Sequence, residues 1–460
     1  MNFTRAMMTT AALLAPLAVT TAARAAADPA LAKQVLLRSV AFKTVEGEGQ
    51  VPKLAAYYAS VLKDAGFKDA DIVITPIGET ATLAATLKGS DPKLKPIVMI
   101  GHMDVVAAER KDWTRDPFVP VEENGYIFGR GSEDNKYDVA MMVTSLAQLK
   151  REGFAPRRTI ILLLSGDEET QMATTRALAE KYKGAELVLN GDGGGGVIGE
   201  DGKPAMYLLQ AGEKTYADFE IAITDPGGHS SAPTATNPIY RLAKVLDRLG
   251  AYQFPPMANE LTKASMLAGS RRIGGEAGAA MARYAANPKD AEAAAYLSSK
   301  PEFIGQVRTT CVATMLSGGH ALNALPQRAT VSVNCRIFPG VAIDSVKAEL
   351  TKVIADDSAT ITTIDKPTGS DASPLRKDVT AAVTKAVQAR YPGLEITPNM
   401  SAGATDSLYF RALGVPSYGV SSLFMKSSDG FAHGLNERVP VDGIAGALGQ
   451  WDSVLKAIAK

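Results

Sequence analysis

The sequence predicts an α/β fold in which a mostly parallel sheet is flanked by helices and interrupted by a smaller inserted α+β domain. Three observations carry this. From residue 28 on, short apolar runs ending in Gly, Ser or Asn alternate with amphipathic stretches closed by Gly. Between residues 214 and 366 the order changes to strand–helix–strand–strand–helix–strand, the split ferredoxin-like pattern. The alternation then resumes from residue 367 to the end.

Taken in order, residues 51–65 form a helix closed by Gly66, and 72–77 and 83–87 form strands. A buried strand at 97–100 ends at Gly101-His102, and a helix at 136–152 is closed by Gly153. Two further apolar strands, 159–164 and 187–189, end at Ser165-Gly166 and Asn190-Gly191. In open sheets of this kind ligands bind beyond the carboxyl ends of the strands. The inserted segment reads as strand 215–223, helix 237–249, strands 307–316 and 329–338, helix 342–355 and strand 359–364. An Ala-rich helical insertion lies within it at about 252–306. Helix 377–390, strands 394–397 and 417–420 and helix 441–459 complete a discontinuous catalytic domain of 28–213 and 367–460.

Residues 1–27 read as a cleaved signal peptide. Arg5 precedes an apolar stretch at 6–21 that is short for a membrane span, and small-residue cleavage sites follow at 23–25 and 25–27. The expected location is a periplasm or the exterior, with a soluble mature chain that carries no membrane anchor. Lys plus Arg and Asp plus Glu both number 49, so no global charge draws the chain to nucleic acid or an anionic membrane. The 2 Cys, Cys311 and Cys335, fall on neighbouring strand-like runs. Export permits a disulfide between them, and two buried free thiols are the alternative.

The chemistry concentrates in four clusters. His102 follows a strand in Gly101-His102-Met103-Asp104, where Asp104 lies on the same side of an extended chain. A core histidine or a metal ligand held by Asp104 both fit. Asp134, in Gly131-Ser132-Glu133-Asp134, fits a helix N-cap or a carboxylate bridging two cations. Asp167-Glu168-Glu169 at a strand end fits a solvated turn, or one ligand beside one general base. Asp192 lies before four successive glycines, which suit a turn or a close approach of backbone to a metal; no Lys-Ser/Thr follows to make a phosphate loop. A set of His and carboxylates at successive strand ends suits a pair of divalent cations.

These clusters, in this order, resemble the dizinc exopeptidase family of aminoacylase, acetylornithine deacetylase, succinyl-diaminopimelate desuccinylase, glutamate carboxypeptidase and carnosinase. The resemblance continues through Gly227-Gly228-His229-Ser230-Ser231, Asn323-Ala324-Leu325-Pro326, Arg336, Gly403-Ala404-Thr405-Asp406-Ser407 and His433-Gly434-Leu435-Asn436-Glu437. It implies a zinc-exopeptidase-like catalytic domain whose insert is a lid and homodimerisation domain. It also implies two zinc ions per subunit, with cobalt or manganese as alternatives. His102 and Asp192 would hold one ion, Glu169 and His433 the other, and Asp134 both. Glu168 would be the general base and Asp104 would orient His102. His229 would stabilise the oxyanion, in many relatives across the subunit interface. Asn323, Arg336 and the Gly403 loop would hold the substrate. The position of Asp192 is Glu in some relatives, and the insertion at 252–306 is longer than in compact ones. His320 has no family role and reads as structural.

The implied activity is hydrolysis of the amide bond of dipeptides, or of the C-terminal residues of small peptides, with Arg336 selecting the free carboxylate. An N-acyl-amino-acid deacylase would use the same site. A binding protein that has lost catalysis would lack the base or a ligand, whereas all of these residues are present.

Overall fold

The computed structural model describes residues 28–460; the leader expected at 1–27 lies outside the described residues. Strands Ile160–Ser165, Ile97–His102, Leu187–Asn190 and Ser417–Gly419 lie side by side and parallel at the middle of a 10-stranded sheet. Ile72–Ile77 and Thr80–Leu87 add an antiparallel flank on one side, and Pro204–Glu213 and Gly195–Ile198 on the other. Ile396–Ser401 and Phe424–Lys426 pair in parallel with these last two.

The central strands are continuous apolar runs because both sheet faces are covered. Ile97, Met99, Leu162, Leu164, Leu187 and Leu189 enter a core shared with helices Val51–Asp64, Tyr137–Arg151, Lys377–Arg390 and Ile444–Ile458. Their neighbours Val98, Ile100, Ile161, Leu163 and Val188 point the other way, against Leu178 and Phe410 of helices Ala173–Tyr182 and Ser407–Ala412. Strand Pro204–Glu213 and helix Ala173–Tyr182 were not legible as regular elements. The strand ends in Gln-Ala-Gly-Glu, a polar run that is nevertheless buried, and the helix is short with few buried apolar residues. No helix among the described residues is long and apolar enough to cross a membrane.

A second core belongs to an antiparallel sheet in the order Thr310–Gly318, Arg328–Ile337, Thr215–Thr224, Ala359–Ile364. Helices Pro238–Ala251 and Ile343–Ile354 contribute Leu242, Val245, Val346 and Leu350 to it. Strand Arg328–Ile337 alternates buried and accessible residues, as a sheet covered on one face requires. Helices Glu260–Ile273, Gly275–Ala286, Ala291–Ser298 and Pro301–Val307 form a small cluster of their own around Met281, Tyr284 and Leu297. Although enclosed in sequence by the lid, this cluster reaches the central sheet. Leu261 joins its main core, and Gln306 Nε2 donates to the Met400 carbonyl at 3.0 Å.

Cys311 and Cys335 stand directly opposite in the register, with Cα atoms 4.1 Å apart, and form a disulfide. Of the two sequence alternatives, the structure therefore holds the bridge. It closes a loop with a sequence separation of 24, for which chain entropy gives a stabilisation of about 3 kcal/mol. Replacing both cysteines by Ala is expected to lower the denaturant midpoint of the lid accordingly. An unchanged midpoint would show that the bridge carries no stability.

Lys214, where the chain leaves the central sheet for the lid, is fully buried. Its Nζ donates to the Arg308 carbonyl at 2.9 Å and lies 3.3 Å from Thr310 Oγ1. Burial, with Arg336 nearby, pulls its pKa from 10.5 down to about 7. The unfolded chain thus keeps this proton over a range in which the folded chain has lost it. Stability should rise with pH between about 7 and 10.5, and the penalty is fully present below that window. Urea melts of Lys214→Met at the two ends of the window are expected to show a smaller rise than the unsubstituted chain; an identical rise would exclude Lys214 as its source.

Candidate metal centre

Three adjacent parallel strands deliver the first ligand candidates. His102 is the last residue of its strand, Glu168 and Glu169 follow the strand on one side, and Asp192 follows the strand on the other. Two loops close over these ends. One brings Asp134 from the turn before helix Tyr137–Arg151, and the second brings His433.

The centre turns on Asp134. One of its oxygens, Oδ1, lies 2.9 Å from His102 Nε2, and the other, Oδ2, lies 3.2 Å from His433 Nε2. His433 Nε2 is also 3.0 Å from Glu169 Oε1, and His102 Nε2 is 3.9 Å from Asp192 Oδ2. Single donor atoms of His102, Glu168 and Asp192 lie within 4.8 Å of one another, as do those of His102, Asp134 and Glu169. His102 is common to both groups, and Asp134 lies between the two imidazoles with one oxygen toward each. His102 Nδ1 donates to the Asp104 backbone carbonyl at 3.0 Å, which leaves Nε2 facing the acids.

The acids crowd one small volume. Burial, then the charges of their neighbours, drives the Glu168 and Asp192 carboxyls well above their usual range. Burial alone would pull His102 down, but Asp134, Asp192 and Glu168 reverse that and hold it well above its ordinary value. His433 is pushed up to about 10 by Asp134 and Glu169. A cluster with this much negative charge and two imidazoles demands cations, and its N/O donor set fits zinc or a similar divalent ion.

The loops are held by groups to which the sequence assigned no separate role. Glu437, fully buried, accepts hydrogen bonds from the backbone N–H of Gly131 (3.0 Å), Glu133 (2.8 Å) and Asp134 (3.1 Å). Arg130 Nη1 donates to the same carboxylate at 2.7 Å, while its Nη2 donates to the His433 and Gly434 carbonyls at 3.2 Å. This ion pair ties the Asp134 loop to the His433 loop. Glu133 Oε2 accepts from the Phe431 N–H at 2.8 Å and ties them a second time. His433 itself sits at φ +61°, a left-handed conformation costly for a non-glycine residue and typical of sites where the fold dictates a side chain's direction.

The Asp104 carboxylate stands 3.7 Å from His102 Nδ1, and it also accepts from the Glu168 and Glu169 N–H groups at 3.1 and 2.9 Å. The backbone carbonyl reaches the imidazole, so the side chain is free to fix the turn carrying both glutamates.

Asp134, Glu168, Glu169, Asp192 and His433 open onto a cleft of about 370 Å³, whose far wall includes Asn399, Ser401, Ala404 and Thr405. Arg336 and Gly403 do not line this cleft but lie next to it: Arg336 Nη1 is 3.4 Å from the Ala402 carbonyl, beside Ser401 of the wall, and its guanidinium lies over the Tyr216 ring. His229 and Asn323 are not brought to the cleft. Gly228–His229 pairs with Ala324–Leu325, the Ser230 N–H donates to the Asn323 carbonyl, and both His229 and Asn323 are exposed on the lid. His320 is likewise exposed on the lid.

Comparison with known proteins places these features in a family. The profile described as Peptidase family M20/M25/M40 matches residues 98–457. Human N-fatty-acyl-amino acid synthase/hydrolase PM20D1 is 28% identical over 368 residues, covering 77% of this chain and 72% of the relative. Carboxypeptidase S of Saccharomyces cerevisiae is 30% identical over 272 residues, 55% of this chain and 47% of the relative. Among solved structures, the M20 family metallo-carboxypeptidase Sso-CP2 from Sulfolobus solfataricus superposes with a TM-score of 0.69 at 19% identity, covering 93% of this chain and 99% of that one. Human carnosine dipeptidase 1 gives 0.62 at 17% identity, with 94% and 97% covered.

Because Glu437 holds the loop carrying Asp134, Glu437→Gln is expected to weaken metal affinity by about tenfold or more, the scale seen when groups supporting metal ligands are removed. Metal content after dialysis against a graded chelator series measures this. Retention equal to that of the unsubstituted chain would mean that the loop keeps its place without the carboxylate.

Proposed function

The chain belongs to peptidase family M20/M25/M40, a family of hydrolases, and on that premise we propose that it is an exported dizinc metallo-exopeptidase. In this proposal it hydrolyses the amide bond of dipeptides, or of the C-terminal residue of small peptides, next to a free carboxylate. The observation that carries the proposal is the division of the two Asp134 oxygens between His102 and His433, with Glu168 facing the same cleft. His102 and Asp192 hold one ion and Glu169 and His433 the other. Zinc is the ion proposed, and cobalt or manganese would suit the same donors.

When bound, the ion pair supplies an activated water and a polarised scissile carbonyl. Glu168 takes the proton of the attacking water and delivers it to the leaving nitrogen. Glu168 lines the same cleft as Asp134, Asp192 and His433, the position that a base acting on this water requires. Arg336 and the Gly403 loop bind the substrate carboxylate, so cleavage is confined to chain ends. Asp104 keeps Glu168 and Glu169 in register with the ions. His229 and Asn323 act across a homodimer, His229 on the oxyanion and Asn323 on the substrate. Their exposure on the lid supports this, as do the exposed Val312, Met315 and Leu316 along the lid's edge strand.

A second reading, hydrolysis of N-acyl amino acids, is favoured by the relatives. The five matches from vertebrates are all described as N-fatty-acyl-amino acid synthase/hydrolase. That substrate presents the same amide and the same carboxylate to the same groups.

Glu168→Gln is expected to lower kcat by about 100-fold or more while metal content is kept, the usual loss on removing a general base. His229→Ala should lose a similar factor as an oxyanion donor. Mixing the two inactive chains and allowing subunits to exchange should restore part of the activity, because one mixed site regains both groups. Near-normal turnover by Glu168→Gln would refute the base, and no recovery on mixing would refute action across subunits.

A further inference from the structure

A second groove of about 230 Å³ meets the metal centre on the side away from the substrate-carboxylate wall. The two spaces share only Asp134, Asp192, Gly193 and Gly194. Beyond these residues the second groove is walled by Val197, Leu208, Leu423 and Met425.

Its floor is bare backbone. Residues 193–196 are all glycine, and a side-chain carbon at Gly194 would stand 2.5 Å from the Gly419 and Leu208 carbonyls, while one at Gly196 would enter the Phe424 ring. The packing thus leaves no room for a side chain at Gly194 or Gly196. The acids at its rim are engaged within the protein. Asp138 accepts from the Ser422 N–H at 2.9 Å and from Trp451 Nε1 at 3.2 Å, and Glu133 from the Phe431 N–H. Asn135 and Ser421 also line the groove, and Asn135 Oδ1 has no hydrogen-bond partner among the described residues; the side chains of Val197, Leu208, Leu423 and Met425 are the part of the lining that suits an apolar group.

The direction of a bound substrate follows from these positions. Its scissile carbonyl must lie at the Asp134–Asp192 junction, with its carboxylate toward Arg336 and the 401–405 wall. The group on the other side of the carbonyl then points into the glycine-floored groove. We propose that this groove binds an apolar group on the acyl side of the scissile bond, either the alkyl chain of an N-acyl amino acid or the side chain of an N-terminal residue. The proposal rests on the amide-hydrolase assignment above and adds the selectivity of its acyl side. It makes Val197 and Met425 specificity-determining residues.

The test compares N-acetyl-, N-hexanoyl- and N-dodecanoyl-phenylalanine with the dipeptides Gly-Phe and Leu-Phe, on the zinc-loaded full chain and on Val197→Trp, whose indole would fill the groove. The ratio of kcat/KM for dodecanoyl over acetyl should fall by about tenfold or more, as when roughly two methylenes lose their burial. A fall in this ratio alone assigns the groove to an alkyl chain. A fall in Leu-Phe over Gly-Phe alone assigns it to a side chain, and a fall in both assigns it to apolar groups generally. Equal losses on all substrates, or no change in either ratio, overturn the proposal. Met425→Ala, which widens the groove without adding bulk, should move the same ratios and serves if Val197→Trp does not fold. Calorimetric binding of N-dodecanoyl- and N-acetyl-phenylalanine to metal-loaded Glu168→Gln reads the groove without turnover. Stronger binding of the long chain there, with no hydrolysis by the unsubstituted chain, would sink the hydrolase assignment and keep the groove.

Discussion

Asp134 must offer one carboxylate oxygen to each of two imidazoles that arrive from opposite ends of the chain, and much of the catalytic domain serves that requirement. Buried acids at this density repel one another, and left unsupported their loops would swing apart toward water. The protein opposes this with backbone hydrogen bonds to carboxylates that do not themselves face the centre. Glu437 gathers three N–H groups of the Asp134 loop, Asp104 gathers two from the Glu168–Glu169 turn, and Glu133 takes one from the His433 loop. Arg130 joins the first of these to the last. The acids that shape the site are thus as numerous as those that would bind metal, and each is itself neutralised by N–H dipoles or by a guanidinium.

The parallel centre of the sheet explains why the site can be so dense. Adjacent parallel strands end at the same level, so the residues after Ser165, at His102 and after Asn190 arrive side by side. Rigid, doubly covered strands fix one half of the ligand set, and the loops bring the other half. The outer parts of the site come from elsewhere in the chain. Arg336 comes from the lid, the 401–405 wall is braced by Gln306 of the helical insert, and the glycine floor comes from the strand after Asp192.

Much of the site could be read from the sequence because metal ligands must be of a few chemical types and must sit at strand ends. His102, Asp134, Glu168, Glu169, Asp192 and His433 were all named on those grounds or by resemblance, and the structure gathers all six at one cleft. Residues that act by holding others left a weaker trace. Glu437 closes the His-Gly-Leu-Asn-Glu run, and an acid four residues after a ligand candidate was the only available hint of its role. His-x-Asp places two side chains on one side of a strand but says nothing of the backbone carbonyl of Asp104, which accepts from the imidazole, or of the Glu168–Glu169 turn that its carboxylate also holds. His229 and Asn323 stand apart from the centre within the chain, on a small ladder of the inserted domain, and a local motif does not record that separation.

The sequence by itself determined the strand runs, the helices closed by glycine, the ferredoxin-like insert and the few side chains from which a ligand set could be drawn. Each depends on local periodicity or on the few side chains able to bind a divalent ion. Only the tertiary structure decided that Cys311 meets Cys335, that the helical insert leans on the central sheet, and that a glycine-floored groove runs on from Asp192. These outcomes follow from strand register and from close packing between segments far apart in the chain. Such contacts are fixed by the sum of the core's packing, and no local run of residues records them.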